Sequence, residues 1–581
     1  MTDKENKKLR IDNMGNSVRD INSDEASLKN VVDNFFLDDF AVYIEVKDTQ
    51  GNYYKKKISG YLKVTALHRD NKSSSWGKVI ELKDADGVLH QTLLPSEKLL
   101  LSNKEILSPL AYLGLKIYDE ISIVKYLKSV EPQKRMTVVH KLGWLQLNGA
   151  SCFVLPNGLT IGNTNEQIVL DSSIIAPAIE SKGTLKEWQD NIAIPASSSS
   201  RAVLGICLAL SAPLLSLGHR NNAGFHIRGN SSSGKSIVLA IACSVIGPPD
   251  IKLTWRSTDN GLEGIALSHN DLMLALDEIS QADPKTVSTS IYDLINGKQK
   301  IRANVMGSAL SVQGWHILLL STGEENLRNI AISQGKITKA GEEIRLADIP
   351  ADAGCGLGVN ERLPNRFTDI GKYADHIKLA VEKFYGVALI EWLKILADVD
   401  HEEIPSRLAT EINDFVKEIA PKSVSQVRRV AESFALLAIV GELASKSNIT
   451  GWEKGLAKEA IKRCFYAWLE EFGDGQSKEE QEIIENALNI LTKRRKQFCE
   501  YEDSRVPNNH IGWMRSNNQY GLIFYVRNSS FKANFCNNRS TKEVELVLKK
   551  AGILISSNKS INPKSEGKTV KVRALMIPEE N

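Results

Sequence analysis

The residues best placed to do chemistry lie in the stretch Ala223 to Ser236, AGFHIRGNSSSGKS. Gly229, four residues, then Gly234-Lys235-Ser236 fits the template G-x-x-x-x-G-K-[ST]. In that template backbone N–H groups curl round a phosphate, the lysine reaches the outer phosphates and the serine hydroxyl ligates magnesium. Asn230, Ser231, Ser232 and Ser233 supply the turn between the glycines, where the chain must approach an anion without a Cβ in the way. A second set of candidates ends the apolar run Leu272 to Glu278, LMLALDE. A parallel sheet would deliver a magnesium-binding Asp277 and a water-activating Glu278 beside the loop. A carboxylate held near Mg²⁺ and a γ-phosphate orients and deprotonates water, so the expected chemistry is nucleotide hydrolysis. Two acids at the solvated end of a buried strand are the plainer alternative.

The elements needed to position these groups are legible around them. Gly224 to Arg228 is a short buried strand before the loop, and Ile237 to Ile246 is the helix whose N-terminal dipole adds to an anion site. Ile251 to Trp255 reads as a second strand, followed by a helix at Leu262 to Ser268, and Pro284 to Ile295 as another helix. Asn296-Gly297 then turns into a hairpin around Met306-Gly307, with Lys298, Lys300 and Arg302 on its ascending arm. Trp315 to Leu320 is a further buried strand, ending in Ser321-Thr322, where a hydroxyl could meet the γ-phosphate or the attacking water.

Composition frames this centre. At 581 residues the chain exceeds one core, and about two to four domains are expected. Hydrophobic residues make up 42% and charged residues 25%, and a net charge of +3 means that nucleic-acid binding must come from local basic patches. The seven cysteines, Cys152, Cys207, Cys243, Cys355, Cys464, Cys499 and Cys536, are scattered and form no C-x-x-C pair, which argues for reduced intracellular thiols and against zinc or disulfides. The polar start MTDKENKKLRIDNMGNSVRD is no signal peptide, and the apolar stretch Ala202 to Leu217 contains Pro213 and is too short to span a bilayer. A cytoplasmic protein without a membrane segment is expected.

Taken in order, residues 1–35 read as a flexible tail ending in a short helix near Leu28 to Phe36. Residues 36–195 read as a β-rich domain: alternating runs with turns at Gly51-Asn52 and Asp86-Gly87, a helical stretch from Leu100 to Glu131, then more strands. Lys55-Lys56-Lys57 there is either a nucleic-acid contact or a solvated strand face. With no catalytic spacing, this half is expected to recruit, form a collar or grip substrate. A linker with Pro195 and Ser197 to Ser200 leads to a helix at Arg201 to Leu217. The ATPase core is expected over 196–365 and a helical domain over 366–475, including the amphipathic run Ser423 to Ala444. Residues 476–581 begin with a long helix, Lys478 to Glu500, then short strands, a helix at Thr541 to Ala551 and a two-stranded end, a winged-helix pattern with a basic face.

The strand, the loop, WRST, LALDE, the basic hairpin, LLLSTGE at Leu318 to Glu324 and AGEEIRLADIPAD at Ala340 to Asp352 together resemble the AAA+ helicases of bacterial mobile elements. Within these the chain is most similar to the cassette-chromosome, Cch-type helicases, whose core was long catalogued as a domain of unknown function and is similar to MCM helicases. The resemblance runs over residues 40–581 and is densest over 223–352. It implies an AAA+ P-loop core with a helical lid, a β-rich N-terminal domain and a C-terminal winged helix. It implies ATP and Mg²⁺ as cofactors, with Lys235 and Ser236 as triphosphate and magnesium ligands, Asp277 as the second magnesium ligand and Glu278 as the catalytic base. Thr322 or Ser321 would be the sensor at the strand end, Lys298, Lys300 and Arg302 would grip DNA in a central pore, and Arg345 would be an arginine finger acting on the neighbouring subunit. Arg428 or Arg429 would be a second sensor. The implied partners are single-stranded and forked DNA, further copies of the chain in a hexamer, and a separate primase, loader or initiator.

The resulting expectation is a ring-forming DNA helicase acting in replication of a mobile element. A small-molecule kinase would need neither Glu278, nor the hairpin, nor the winged helix. A nucleotide-gated DNA-binding or defence ATPase that assembles without processive unwinding would need the same ATP site, and strand displacement on a forked substrate separates it from a helicase.

Overall fold

The computed structural model describes residues 32, 34–147, 149–171, 177–299, 313–325, 327, 329–330, 344–421, 423–472, 478–506, 509–517, 521–537 and 539–577. The chain divides into two compact units, Met1–Ile419 with Val430–Trp468, and Ala420–Arg429 with Leu469–Asn581. The fold is mixed α/β and multidomain. Residues 1–31, where the tail is expected, and 301–312, which hold most of the expected hairpin, lie outside the described residues, as do Lys300 and the tip around Met306-Gly307.

The N-terminal region is built on strands that alternate as their sequences do. β1 (Phe35–Leu37), β2 (Ala41–Lys47) and β3 (Tyr53–Gly60) form an antiparallel sheet in that order. The helix expected up to Phe36 gives way to β1, because pairing with β2 buries Phe35 in a core that an isolated helical turn could not reach. β4 (Leu62–Arg69), β5 (Gly77–Lys83), β6 (Leu89–Pro95), β7 (Arg135–Val139) and β11 (Gln167–Leu170) form a second sheet, in the order β11-β7-β4-β5-β6, with the Asp86-Gly87 hairpin as expected. β8 (Gly143–Leu147), β9 (Ala150–Val154) and β10 (Thr160–Gly162) form a third. Helices Asn103–Tyr112 and Glu120–Ser129 close the first core.

The expected linker over Pro195 and Ser197 to Ser200 is not one. Ser198, Ser199 and Ser200 are buried, because each hydroxyl finds a partner: Ser198 Oγ donates to Pro195 O, Ser199 Oγ to Val359 O and Ser200 Oγ to the Glu361 carboxylate. Ser199 also caps the following helix, Ser200–Ser211. That helix stops short of Leu217, since Pro213 removes a backbone donor and a separate turn of helix, Leu214–Leu217, takes over.

The central sheet is wholly parallel. β12 (Ala223–Arg228), β13 (Leu253–Thr254), β14 (Leu272–Asp277), β15 (Ile317–Gly323) and β16 (Leu346–Pro350) stand in the order β13-β14-β15-β12-β16. Its strands are near-continuous apolar runs because both faces are covered. On one face Leu274, Leu276, Ile317 and Leu319 pack against Trp255, Leu262, Val287 and Ile291 from the helices Asp259–Ser268 and Val287–Asn296 and the turn before them. The other face lies under Ser200–Ser211 and Lys235–Ile246. Along each strand successive side chains alternate between these two environments.

In the second unit the helix expected to run to Glu500 ends at Lys493, and Phe498–Glu500 is a strand, β17. Four consecutive cations from Lys493 suit a helix C-terminus, and Phe498 is drawn into the core beyond it. β17, β18 (Gly512–Asn517), β19 (Gly521–Arg527), β20 (Leu554–Ile561) and β21 (Val570–Met576) form a sheet in the order β17-β18-β19-β21-β20. The helices Asn528–Phe535 and Thr541–Lys550 pack with Lys478–Lys493 on its core. The helix Asn528–Phe535 is not among the elements expected for this segment.

Candidate nucleotide site

β12 runs between β15 and β16 in the parallel sheet and releases the chain at its carboxyl edge, where Gly229 begins the loop. A Cβ on Gly229 would stand 2.8 Å from that of Ala351, and Gly234 combines φ +100° with Val359 methyls 2.7 Å from where its Cβ would be. Neither position admits a side chain. The segment after β16 straps the loop: Val359 N–H donates to Ser233 O at 3.0 Å. Lys235 opens the helix Lys235–Ile246, so the first free N–H groups of that helix face the loop. Lys235 is 8% exposed, and its ammonium donates to Gly229 O at 2.6 Å and Asn230 O at 2.8 Å, bridging the loop's own carbonyls. Asn230, Ser231, Ser232 and Ser236 are exposed at the same mouth.

Two strands away, β14 delivers the acids. Asp277 Oδ1 accepts from Thr322 Oγ1 at 2.5 Å, and Oδ2 accepts from Lys252 Nζ at 2.8 Å. Burial pushes the Asp277 carboxyl up, but the Lys252 and Thr322 hydrogen bonds outweigh it and leave the group below its ordinary range, hence ionised. Glu278 is held in the left-handed region at φ +58°, an uncommon place for a non-glycine residue. Its N–H donates to Thr322 Oγ1 at 3.2 Å, and its carboxylate accepts from Ser280 Oγ at 2.7 Å. Thr322 thus fixes both acids from the end of β15, and Gly323 O accepts from Gly229 N–H at 3.1 Å, tying that strand end to the loop.

Ser321 points the other way. Trp255 Nε1 donates to Ser321 Oγ at 3.0 Å, and Ser321 pairs with His226 Nδ1 at 3.0 Å. His226 Nε2 lies 3.1 Å from Glu325 O, which requires Nε2 to carry the proton and Nδ1 to accept from Ser321. Burial lowers the imidazole pKa to about 4, so the ring is neutral. Of the two hydroxyls, Thr322 meets the acids and Ser321 knits β12, β15 and Trp255 together beneath them.

Residues 35–313 match the family described as a domain of unknown function, DUF927. No curated protein sequence matches the chain. A solved SCCmec type IV Cch active helicase superposes with a TM-score of 0.70 at 17% identity, covering 94% of this chain and 97% of that one. The chain has the fold of a Cch-type helicase. NtrX from Brucella abortus, at a TM-score of 0.17 and 14% identity over 41% of this chain and 64% of that one, is too distant to bear on the fold.

Within this Cch-like fold the remaining expected residues fall elsewhere. Arg345 immediately precedes β16, at the amino edge of the parallel sheet, where its carbonyl accepts from Gly224 N–H at 3.0 Å. Its guanidinium carbon sits 4.2 Å from the centroid of the half-exposed Tyr292 ring. The length of β12 separates that position from the loop, about 17 Å at the rise of a parallel strand. Lys298 forms a bridge with Gly314, while Lys300 and Arg302 lie outside the described residues. Arg428 and Arg429 are exposed in the first turn of the helix Ser425–Lys446 and count with the second unit. No helix among the described residues is long and apolar enough to cross a membrane.

Sequence reasoning missed Lys252, Ser280 and the 358–359 strap. Lys252 heads the strand next to the one that ends in Asp277, and a cation there is the only signal that could have suggested the pair. The strap carries no motif at all.

Proposed function

We propose that the chain is an ATP-driven, ring-forming DNA helicase of the AAA+ class that acts in the cytoplasm during replication of a mobile genetic element. The observation that carries this reading is the division of one parallel sheet: loop, Asp277, Glu278 and Thr322 converge at its carboxyl edge, while Arg345 stands at the amino edge, out of reach of its own loop. Ligands of open α/β sheets bind at carboxyl ends. An arginine at the other edge suits hydrolysis that needs a second subunit, whose loop it would face.

In this reading the loop N–H groups and Lys235 hold the triphosphate. The exposed Ser236 hydroxyl and the ionised Asp277 carboxylate are hard oxygen donors that fit Mg²⁺, which when bound would neutralise phosphate charge. Glu278 orients the attacking water, Thr322 senses the γ-phosphate, and Arg345 stabilises the transition state in trans. Residues 366–475 act as the lid, with Arg428 or Arg429 as second sensor, and 476–581 as a winged helix. Lys298, Lys300 and Arg302 track DNA through the pore of a hexamer, and a separate primase, loader or initiator serves the same fork.

The test is unwinding of a forked DNA by the purified protein with ATP and magnesium, beside Glu278→Gln and across a salt series. Strand separation that needs Glu278 supports the helicase. DNA-stimulated ATP hydrolysis without separation would replace it with an ATPase that assembles on DNA and does not unwind.

A further inference from the structure

The sheet β1-β2-β3 buries one face only. Phe35 and Val42, with Leu37 and Ile44 partly covered, pack against the helices Asn103–Tyr112 and Glu120–Ser129. Directly opposed residues of an antiparallel pair share a face, so the register defines the other one. There Phe36 is opposite Tyr43, Tyr43 opposite Lys57, Glu45 opposite Lys55 and Lys47 opposite Tyr53. The outward face therefore interleaves three aromatic rings with three lysines. Tyr53, Lys47, Lys55 and Lys57 are exposed, and Phe36 and Tyr43 are half-buried. The ammonium groups stand against rings: Lys55 Nζ is 4.1 Å from the Phe36 centroid, Lys47 Nζ 4.7 Å from Tyr53, and Lys57 Nζ 5.2 Å from the exposed Tyr118 just beyond the strand. The acids at this face are Glu45 in register and Asp38 at its rim, where it is hydrogen-bonded to the Tyr43 hydroxyl.

A face that served solubility alone needs no rings, and protein interfaces are depleted in lysine. Rings and lysines alternating on a flat sheet are instead what a single strand of nucleic acid requires: π-faces for its bases, whatever the sequence, and cations for its phosphates. We infer that the outward face of β1-β2-β3 is a binding platform for single-stranded DNA, with bases stacking on Phe36, Tyr43 and Tyr53 and phosphates held by Lys47, Lys55 and Lys57. The choice of DNA rests on the helicase reading; the platform itself rests on the register. A base arriving on Phe36 or Tyr53 displaces the ammonium that covers it, and the flexible lysine stem lets that charge follow the phosphate. The N-terminal region thereby holds the strand at a site remote in sequence from the ATPase loop.

The experiment uses the full chain without nucleotide and a fluorescein-labelled oligo-dT, followed by anisotropy across a salt series, with Lys55→Glu/Lys57→Glu and Tyr53→Ala as variants. The double variant is expected to bind about tenfold or more weakly, with a salt slope reduced by roughly 1.4, the share of two phosphates on a single strand. Tyr53→Ala should cost roughly tenfold with the slope retained. Basal ATP hydrolysis should be unchanged in both, which also reports an intact fold. Photocrosslinking with 5-iodouracil in the oligonucleotide should mark Phe36, Tyr43 or Tyr53. Native affinity and slope in the double variant, or crosslinks only outside 36–57, would overturn the platform while leaving the helicase reading in place. Competition by poly-glutamate as strong as that by oligo-dT would also overturn it, in favour of an acidic protein partner. If the native chain neither binds nor is stimulated by DNA, the helicase reading falls together with it.

Discussion

The two edges of the parallel sheet are built from the same strands and treat polar groups in opposite ways. At the carboxyl edge Asp277 and Glu278 are partly open, Glu278 on a strained backbone and both held by the buried Thr322, with Asn230, Ser232 and Ser236 exposed beside them. At the amino edge Asn270 and Asp271 are buried and spent on internal bonds. Asn270 Nδ2 donates to Leu142 O at 2.8 Å, Asn270 Oδ1 accepts from His316 N–H at 3.0 Å, and Asp271 Oδ2 accepts from Trp144 N–H at 3.1 Å. Gly143 between them has φ +98°, and a Cβ there would lie 2.2 Å from Asp271 Oδ2. One edge leaves its carboxylates partly open at the mouth of the loop. The other buries its polar groups and uses them to fasten the corner at β8 to the parallel sheet, so the setting of a polar residue at a strand end depends on which end it occupies.

The largest break in this contrast should come from Glu278→Gln. Phosphate release is expected to fall about 10³-fold, in the range of a lost general base, with ATP binding retained. Hydrolysis at the native rate would remove Glu278 from that role. Arg345→Ala tests the exception, an amino-edge residue proposed to act in chemistry. Loss of about 10²-fold is expected with oligomer size unchanged, and mixing with Lys235→Ala subunits should recover part of it, because the mixed interface pairs an intact loop with an intact arginine. Absence of recovery would mean that Arg345 serves only its own chain, for instance through Tyr292.

A sharper cut compares two neighbours on β15. Thr322→Val removes the hydroxyl that holds Asp277 Oδ1 and the Glu278 N–H, and kcat should drop about tenfold to a hundredfold with little change in nucleotide affinity. Ser321→Ala instead leaves Trp255 Nε1 and His226 Nδ1 without their partner. Its cost should appear as about 1 to 3 kcal/mol in urea unfolding, with kcat within a few-fold of native. The reverse assignment of effects would exchange the roles given to the two hydroxyls.

The same pair shows what was legible in the sequence. The loop, LMLALDE and the strand ending in Ser321-Thr322 are local codes: strand periodicity, glycine conformations and polar strand ends are written in adjacent residues, and all of them form as expected. Period-2 alternation also says that Ser321 and Thr322 face opposite sides. It does not say which side holds the acids, since that depends on how β14 and the helix Lys235–Ile246 pack. The buried serine run at 198–200, the Lys252–Asp277 pair and the corner joining Trp144 to Asp271 are contacts between segments distant along the chain. No local pattern encodes them, because the partner that satisfies each polar group arrives only with the tertiary fold. The end of the helix at Lys493 belongs with these, being decided by where Phe498 is buried.

The smallest effect expected on activity, and the most direct on the amino edge, is that of Asp271→Asn. Burial pushes the Asp271 carboxyl up to about 6, only partly offset by its hydrogen bonds. The folded group therefore holds its proton more tightly than the unfolded one, and stability falls as pH rises from about 4 through 6, then stays reduced. His226 and His269 act oppositely: burial lowers both to about 4, so their contribution is lost as pH falls from about 6.5 toward 4. In the native chain these terms oppose each other in the same window. An amide at 271 keeps an oxygen for Trp144 N–H, presents a donor toward His316 Nδ1, 3.7 Å from Asp271 Oδ1, and removes the ionisation. The variant should be more stable than native at pH 7, by up to about 3 kcal/mol, with the gain shrinking toward zero near pH 4. Urea midpoints at pH 4, 5, 6 and 7 read this directly. A difference independent of pH would show that Asp271 fastens the corner by shape alone, with its charge already neutralised at pH 7.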